Sequence, residues 1–158
     1  MNPRFVFIHG NGGNDWQSPW AVWLKNELDK LGAESVFETM PDPEKARSNY
    51  WLPHMKDVLR IGKNDVIIGY SSGAVAAMRY AEANEILGSI LISPSHTDLG
   101  DAGEKESGYF DAPWDWKAIK KHQKKMLVVY GEDDPYIPGR EFAYIVLQLG
   151  ADKIKVPM

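Results

Sequence analysis

Residues 65–84, DVIIGYSSGAVAAMRYAEAN, decide the fold. They open on Val66-Ile67-Ile68, a short apolar run rich in β-branched residues, which argues a buried strand. They close on Ala74 to Ala81, dense in helix formers. Between the two sits Gly69-Tyr70-Ser71-Ser72-Gly73, a G-x-S-x-G pentapeptide. In a strand-turn-helix setting the serine occupies a sharp, strained turn, and glycines at both flanks let neighbouring backbone come close. Such a turn lifts the Ser71 hydroxyl above the carboxyl end of a sheet. The helix behind it aims its N–H groups and positive dipole end at developing negative charge. With Gly near 7% of residues and Ser similar, the pentapeptide arises by chance in roughly one chain in twenty of this length. Its weight therefore comes from the strand before it and the helix after it. The competing reading is a tight βα turn whose small residues serve packing.

Towards the N-terminus, Arg4 to Ile8 is a second buried-strand candidate, running into the Gly-rich loop His9 to Asp15. That loop has no G-x-x-x-x-G-K-[ST] and no strict G-x-G-x-x-G, so nucleotide binding is poorly supported. It suits an oxyanion hole better. A nucleophile-elbow enzyme uses the N–H after the serine, here Ser72, and a second N–H from another strand-end loop. Asn11 is the first choice for that donor and Gly12 the alternative. Trp20 to Leu31 shows a helical stripe of Trp20, Trp23, Leu24, Leu28 and Leu31, with the tryptophans expected in the core. Val36 to Thr39 reads as a strand. Asn49 to Ile61 reads as a helix with Trp51, Leu52, Met55, Val58 and Leu59 inward.

Towards the C-terminus, Gly88 to Ser93 is a further strand. The polar stretch 94–113 is long for a connection, which predicts a lid or binding loop. A helix follows from Trp114 to His122, its lysines 117, 120 and 121 forming, with 124 and 125, a solvated face. Met126 to Tyr130 is a strand ending in Gly131-Glu132-Asp133-Asp134-Pro135. An acid there suits the chain order Ser, Asp, His of elbow hydrolases. Arg140 to Leu149 reads as helix and Ile154 to Val156 as strand. Strands alternating with helices imply a mostly parallel sheet with helices on both faces, and ligands in such sheets bind at the carboxyl ends of the strands.

The 158 residues fit one domain, and the net charge of −4 argues against a nucleic-acid partner. There is no cysteine, which excludes disulfides, a thiol nucleophile and Cys-based zinc sites, and fits a cytoplasmic protein. No apolar run is long enough to cross a bilayer. No motif calls for a metal or cofactor. Trp16, Trp20, Tyr109, Phe110 and Trp114 are candidates for an apolar acyl pocket, with a core position the alternative for each.

These residues give the chain a family resemblance. It resembles the retinoblastoma-binding-protein-9-like small serine hydrolases of the α/β-hydrolase fold. The resemblance rests on Gly10-Asn11-Gly12-Gly13, Met40-Pro41-Asp42-Pro43, Trp51-Leu52-Pro53 and Gly69 to Glu82. It also rests on Asp98-Leu99-Gly100-Asp101, Ser107-Gly108-Tyr109-Phe110, Pro113-Trp114-Asp115-Trp116 and Asp133-Asp134-Pro135. It implies a three-layer fold and an acyl-serine mechanism on small ester or amide substrates. Carried over by position, Ser71 is the nucleophile, Asp134 the triad acid, and Ser72 and Asn11 the oxyanion donors. The resemblance places the triad histidine in a Gly-His pair after the last strand, followed by a closing helix. This sequence reaches Met158 without either, so the expectation is a truncated and weakly active chain. Of the four histidines, His9 adjoins the oxyanion loop and His96 lies in the long loop as a mobile substitute, while His54 and His122 fall in helices. The alternative function is a non-catalytic binding protein that keeps the hydrolase fold.

Overall fold

The computed structural model describes residues 2–157. A single six-stranded parallel sheet runs through it, built from β1 (Arg4–Ile8), β2 (Glu34–Phe37), β3 (Asp65–Tyr70), β4 (Gly88–Ile92), β5 (Lys125–Gly131) and β6 (Asp152–Val156). Its order is β2-β1-β3-β4-β5-β6. The connecting helices are α1 (Pro19–Lys30), α2 (Ser48–Asp57), α3 (Ser72–Ala83), α4 (Ala102–Glu106), α5 (Trp116–Lys121) and α6 (Gly139–Leu149). Parallel neighbours need crossovers, and the helices supply them.

The chain steps from β1 outward to β2, then returns to the other side of β1 for β3. Registers Phe7↔Phe37 and Ile8↔Gly69 put β1 between them. The strand order reverses there, and a crevice opens at that point in parallel sheets. Arg4 and Asp65 tie the opposite ends of β1 and β3 through two 2.9 Å hydrogen bonds.

Period-2 alternation sorts each strand onto two faces. Val6, Ile8, Ile67, Leu91 and Val128 face the larger core, which α2, α3, α5 and α6 cover. Phe7, Phe37 and Ile68 face the other side, covered by Ala21 and Leu28 of α1. Helix α3 is buried almost along its whole length, from Ser72 to Ala81. It is apolar over most of its surface, Arg79 and Glu82 excepted, because neighbouring helices and the sheet below enclose it. On the α1 face the sheet is less covered towards β6, where Ile154 is 50% and Val156 43% exposed.

Three sequence expectations shift. The α1 stripe is rotated: Ala21 and Leu28 face the sheet, while Trp23 and Leu31 are exposed and Trp20 lies at the margin against Phe7 and Tyr70. Counting only large apolar residues hid Ala21, which is fully buried. Helix α2 ends at Asp57, so helical spacing no longer governs Val58, which is exposed. The 94–113 stretch contains α4, whose Asp101 caps it by accepting from the Glu104 N–H at 3.0 Å.

Candidate active site

Ser71 stands between the end of β3 and the start of α3, with φ 53° and ψ −113°. That backbone is strained for a residue with a side chain, and surrounding contacts must over-determine it. They do so from both sides. The Ser71 N–H donates to the Ile92 carbonyl at 2.8 Å, and the Ser71 carbonyl accepts from Ala74 and Val75. The two glycines explain themselves sterically. A Cβ at Gly69 would meet the Gly73 carbonyl oxygen at 2.5 Å, and one at Gly73 would overlap the Ile8 carbonyl. A serine at a helix start ordinarily caps it with its side chain. Here no side-chain cap bond forms, so the Ser71 hydroxyl remains available at the mouth of the crevice.

The loop after β1 faces this hydroxyl. Its first residue, His9, is buried and hydrogen-bonded at both ring nitrogens. Nε2 accepts from the Met40 N–H at 2.8 Å, so Nδ1 carries the proton and donates to the Gly10 carbonyl at 2.6 Å. Burial pulls the His9 pKa below its ordinary value, against weaker support for the charged form from the Gly10 carbonyl. The Gly12 N–H donates to the Glu44 carbonyl at 3.1 Å, whereas the Asn11 N–H has no protein acceptor among the described residues. The Asn11 side chain donates to Glu104 Oε1 at 3.4 Å.

Asp134 lies after β5. Its Oδ1 accepts from the N–H groups of Tyr136 and Ile137, each at 2.8 Å. It lines the same cavity as Ser71, about 570 Å³ in volume, together with Asn11, Ser72, Leu99 and Glu104. Asp133 is exposed and does not line it. Among the described residues three carboxylates, Asp101, Glu104 and Asp134, border the cavity, and no Lys, Arg or His does. Burial raises the Glu104 pKa, with Asp101 adding to the rise and the Asn11 hydrogen bond opposing it. Among the described residues no group of three or more acids and histidines is placed to hold a metal.

A model of the serine hydrolase family matches residues 5–158. The chain belongs to the serine hydrolase family. Serine hydrolase RBBP9 of Rattus norvegicus is 40% identical over 154 residues, covering 96% of this chain and 83% of the relative. Among solved structures, the ydeN gene product of B. subtilis superposes with a TM-score of 0.87 at 22% identity, covering 98% of this chain and 85% of that one. Est1E of Butyrivibrio proteoclasticus superposes with a TM-score of 0.79 at 17% identity, covering 99% and 78%. At those identities the two structures speak for the α/β-hydrolase fold, which the sheet order and elbow of this chain share.

For this serine hydrolase chain, the four histidines take other positions than a base requires. His9 is an anchor of the loop rather than a group facing the crevice. His96 is not mobile: its Nε2 lies 3.2 Å from Glu141 Oε2, its ring stacks on Tyr144, and its carbonyl accepts from Trp114 Nε1. His122 Nδ1 donates to the Ala81 carbonyl and His54 lies on α2. The long segment is likewise pinned. Glu141, 2% exposed, accepts from the N–H groups of His96 and Thr97 and from the Thr97 hydroxyl, each at 3.0 Å. Arg79 of α3 donates to the carbonyls of Tyr109, Ala112 and Pro113 and lies 3.7 Å over the Trp114 ring. None of Trp16, Trp20, Tyr109, Phe110 or Trp114 lines the cavity; its apolar wall is Tyr70, Val75, Leu99, Tyr136 and Ile137. Glu104 and Asp101 were missed because an acid in a polar stretch carries no mark of what it faces.

Proposed function

We propose that this chain hydrolyses small ester or amide substrates through an acyl-serine intermediate. Ser71 attacks the substrate carbonyl, and its proton passes to an imidazole, a base that the described cavity lining does not contain and that added imidazole would supply. The N–H groups of Ser72 and Asn11 hold the oxyanion that forms, at the positive end of α3. Collapse returns the proton to the leaving alcohol or amine, and water repeats the sequence on the acyl-enzyme. Asp134 is the acid that orients the imidazole. The observation that carries the reading is the strained Ser71 backbone with its hydroxyl left uncapped, at a cavity where the Asn11 and Ser72 N–H groups have no protein acceptor among the described residues. Gly12, its N–H engaged by Glu44, gives way to Asn11 as second donor. The chain is taken as one cytoplasmic domain. Because none of its four histidines lines the cavity, the intrinsic turnover of these 158 residues is expected to be weak.

Among the described residues no histidine lines the cavity. That observation favours a second reading, a binding protein that keeps the fold without catalysis. Chemical rescue separates the two. A fluorophosphonate should label Ser71 slowly, and imidazole added to the buffer should speed labelling by a factor on the order of 10²–10⁴, the usual worth of general-base help. Ser71→Ala should abolish it and Ser72→Ala should not. Labelling that persists in Ser71→Ala overturns the assignment. No labelling with or without imidazole favours the binding protein.

A further inference from the structure

Residues 40–47, MPDPEKAR, lie between β2 and α2, and none of them lines the Ser71 cavity. Yet two of them, Asp42 at φ 49° and Ala46 at φ 53°, hold the left-handed conformation without being glycine. A side chain makes that conformation costly, so something must lock it. The lock is a fork. Arg47 Nε and its own N–H both donate to Asp42 Oδ2, at 2.9 and 3.0 Å, while the Arg47 terminal nitrogen donates to Oδ1 at 3.0 Å. The Ala46 N–H closes the turn on the Asp42 carbonyl at 2.8 Å, and Ala46 is fully buried.

The locked turn reaches three parts of the site. Through the Glu44 carbonyl it takes the Gly12 N–H. Through the Met40 N–H it holds the ring of His9, while Trp51 Nε1 fixes the Pro41 carbonyl at 2.6 Å and packs its ring edge-on to His9. Through Ser48 N–H to the Ser107 carbonyl at 2.8 Å, and Lys45 to Glu106 at 3.3 Å, it grips the end of α4. The oxyanion loop and the α4 wall thus hang from one bracket, which occupies one N–H of the loop and leaves its neighbour at Asn11 without a protein acceptor among the described residues.

We infer that Asp42 and Arg47 are positioning residues whose ion pair sets the oxyanion loop, deciding that Asn11 rather than Gly12 presents its N–H to the cleft. This rests on the acyl-serine reading for its functional half. The bracket stands on its own geometry.

The test uses Asp42→Ala, Asp42→Asn, Arg47→Ala and Arg47→Lys in the whole chain, with two readouts. The first is amide exchange by NMR. Gly12 and Ser48 should exchange about tenfold faster in the alanine variants, the change expected from losing one net hydrogen bond, while Ile67 in β3 stays as in the parent. Asp42→Asn should lie between, since Asn tolerates the left-handed turn and still accepts from Arg47. The second is binding of phenylboronic acid, whose tetrahedral adduct on Ser71 needs the oxyanion donors. Its affinity should fall about tenfold in the same variants, in step with Gly12 exchange. If Gly12 exchange is unchanged while the melting temperature alone drops, the bracket merely supports the fold and the inference is overturned. If Gly12 exchange quickens but boronate affinity holds, the link to the oxyanion donors is refuted. A parent chain that binds no boronate refutes the acyl-serine reading and the functional half with it, and Gly12 exchange still decides the bracket.

Discussion

Gly73→Ala should weaken the protein although it adds a helix-favouring residue to a helix. Gly73 is the second residue of α3, where that helix crosses the end of β1. The added Cβ would stand 2.6 Å from the Ile8 carbonyl carbon and 2.7 Å from the His9 oxygen, with the Ile8 oxygen nearer still. Ordinary contact begins at 3.4 Å, so the first of these gaps must open by 0.8 Å. All three are backbone atoms: the two of Ile8 close β1, paired there with Gly69 of β3, and His9 follows with its ring held between the Met40 N–H and the Gly10 carbonyl. Helix α3 cannot retreat either, because Ala74 to Met78 are buried against the surrounding helices. Overpacking of this kind costs about 1–3 kcal/mol and occasionally more. Against it stands a propensity gain of at most about 1 kcal/mol, less in the first turn.

The clash wins, and a net loss of about 2 kcal/mol lowers the melting temperature of a chain this size by about 4–8 °C. Circular dichroism melts of Gly73→Ala and of Gly139→Ala make the comparison. Gly139 opens α6 with nothing within 4 Å of its would-be Cβ, so alanine there should be neutral or slightly stabilising. Ser71 labelling should fall in Gly73→Ala as the α3 terminus moves away from the cleft. A Gly73→Ala protein that melts at or above the parent would refute the claim that close backbone approach dictates this glycine.

Asp134→Ala should cost about 1 kcal/mol through loss of its two N–H partners, whereas Asp133→Ala should stay within about 0.5 kcal/mol of the parent; equal effects in urea unfolding would remove the distinction. In a form that carries a triad histidine, Asp134→Asn should lower ester turnover by up to ~10⁴ through the wrong imidazole tautomer, and Asp133→Asn should not. Stability should fall as pH drops below 6.5, the ordinary histidine value, because burial depresses the folded-state pKa of His9 and of His96. The unfolded chain then binds protons that the folded one refuses, so the stability is present above pH 6.5 and lost below it. His9→Asn should flatten that slope in melts from pH 7.5 to 5, and an unchanged slope would refute the buried neutral imidazole.

The parallel sheet and the elbow were legible because both are written in local pattern. Val66 to Ile68 and Met126 to Tyr130 are unbroken apolar runs, as strands covered on both faces must be. Gly69 and Gly73 stand where backbone meets backbone. Helix faces were less legible. In α1 the deciding residue is Ala21, fully buried, while the larger Trp23 points to solvent. Side-chain size misled because the sheet surface beneath α1, with Phe7 stacked on Phe37 at 5.0 Å, already fills the space a tryptophan would need.

The site divides along a similar line. Ser71 and the Gly-rich loop declare themselves through the backbone conformations they require. A histidine declares nothing of the kind, since the same imidazole can be a base, an ion-pair partner or an internal brace. His9 opens the Gly-rich loop after β1, where a base would be plausible by proximity alone. Its two ring nitrogens are spent on Met40 and Gly10, which leaves no lone pair for a serine proton. His96 is drawn to Glu141 on α6, a residue 45 positions along the chain from it. Such partners come together only through the crossovers of the sheet, so the role of each imidazole is settled by tertiary hydrogen bonding. By that inventory each of these two rings is already bound to a partner other than Ser71. A proton leaving the Ser71 hydroxyl must therefore find an acceptor other than His9 or His96, which is why added imidazole is the sharpest probe of what this cleft does.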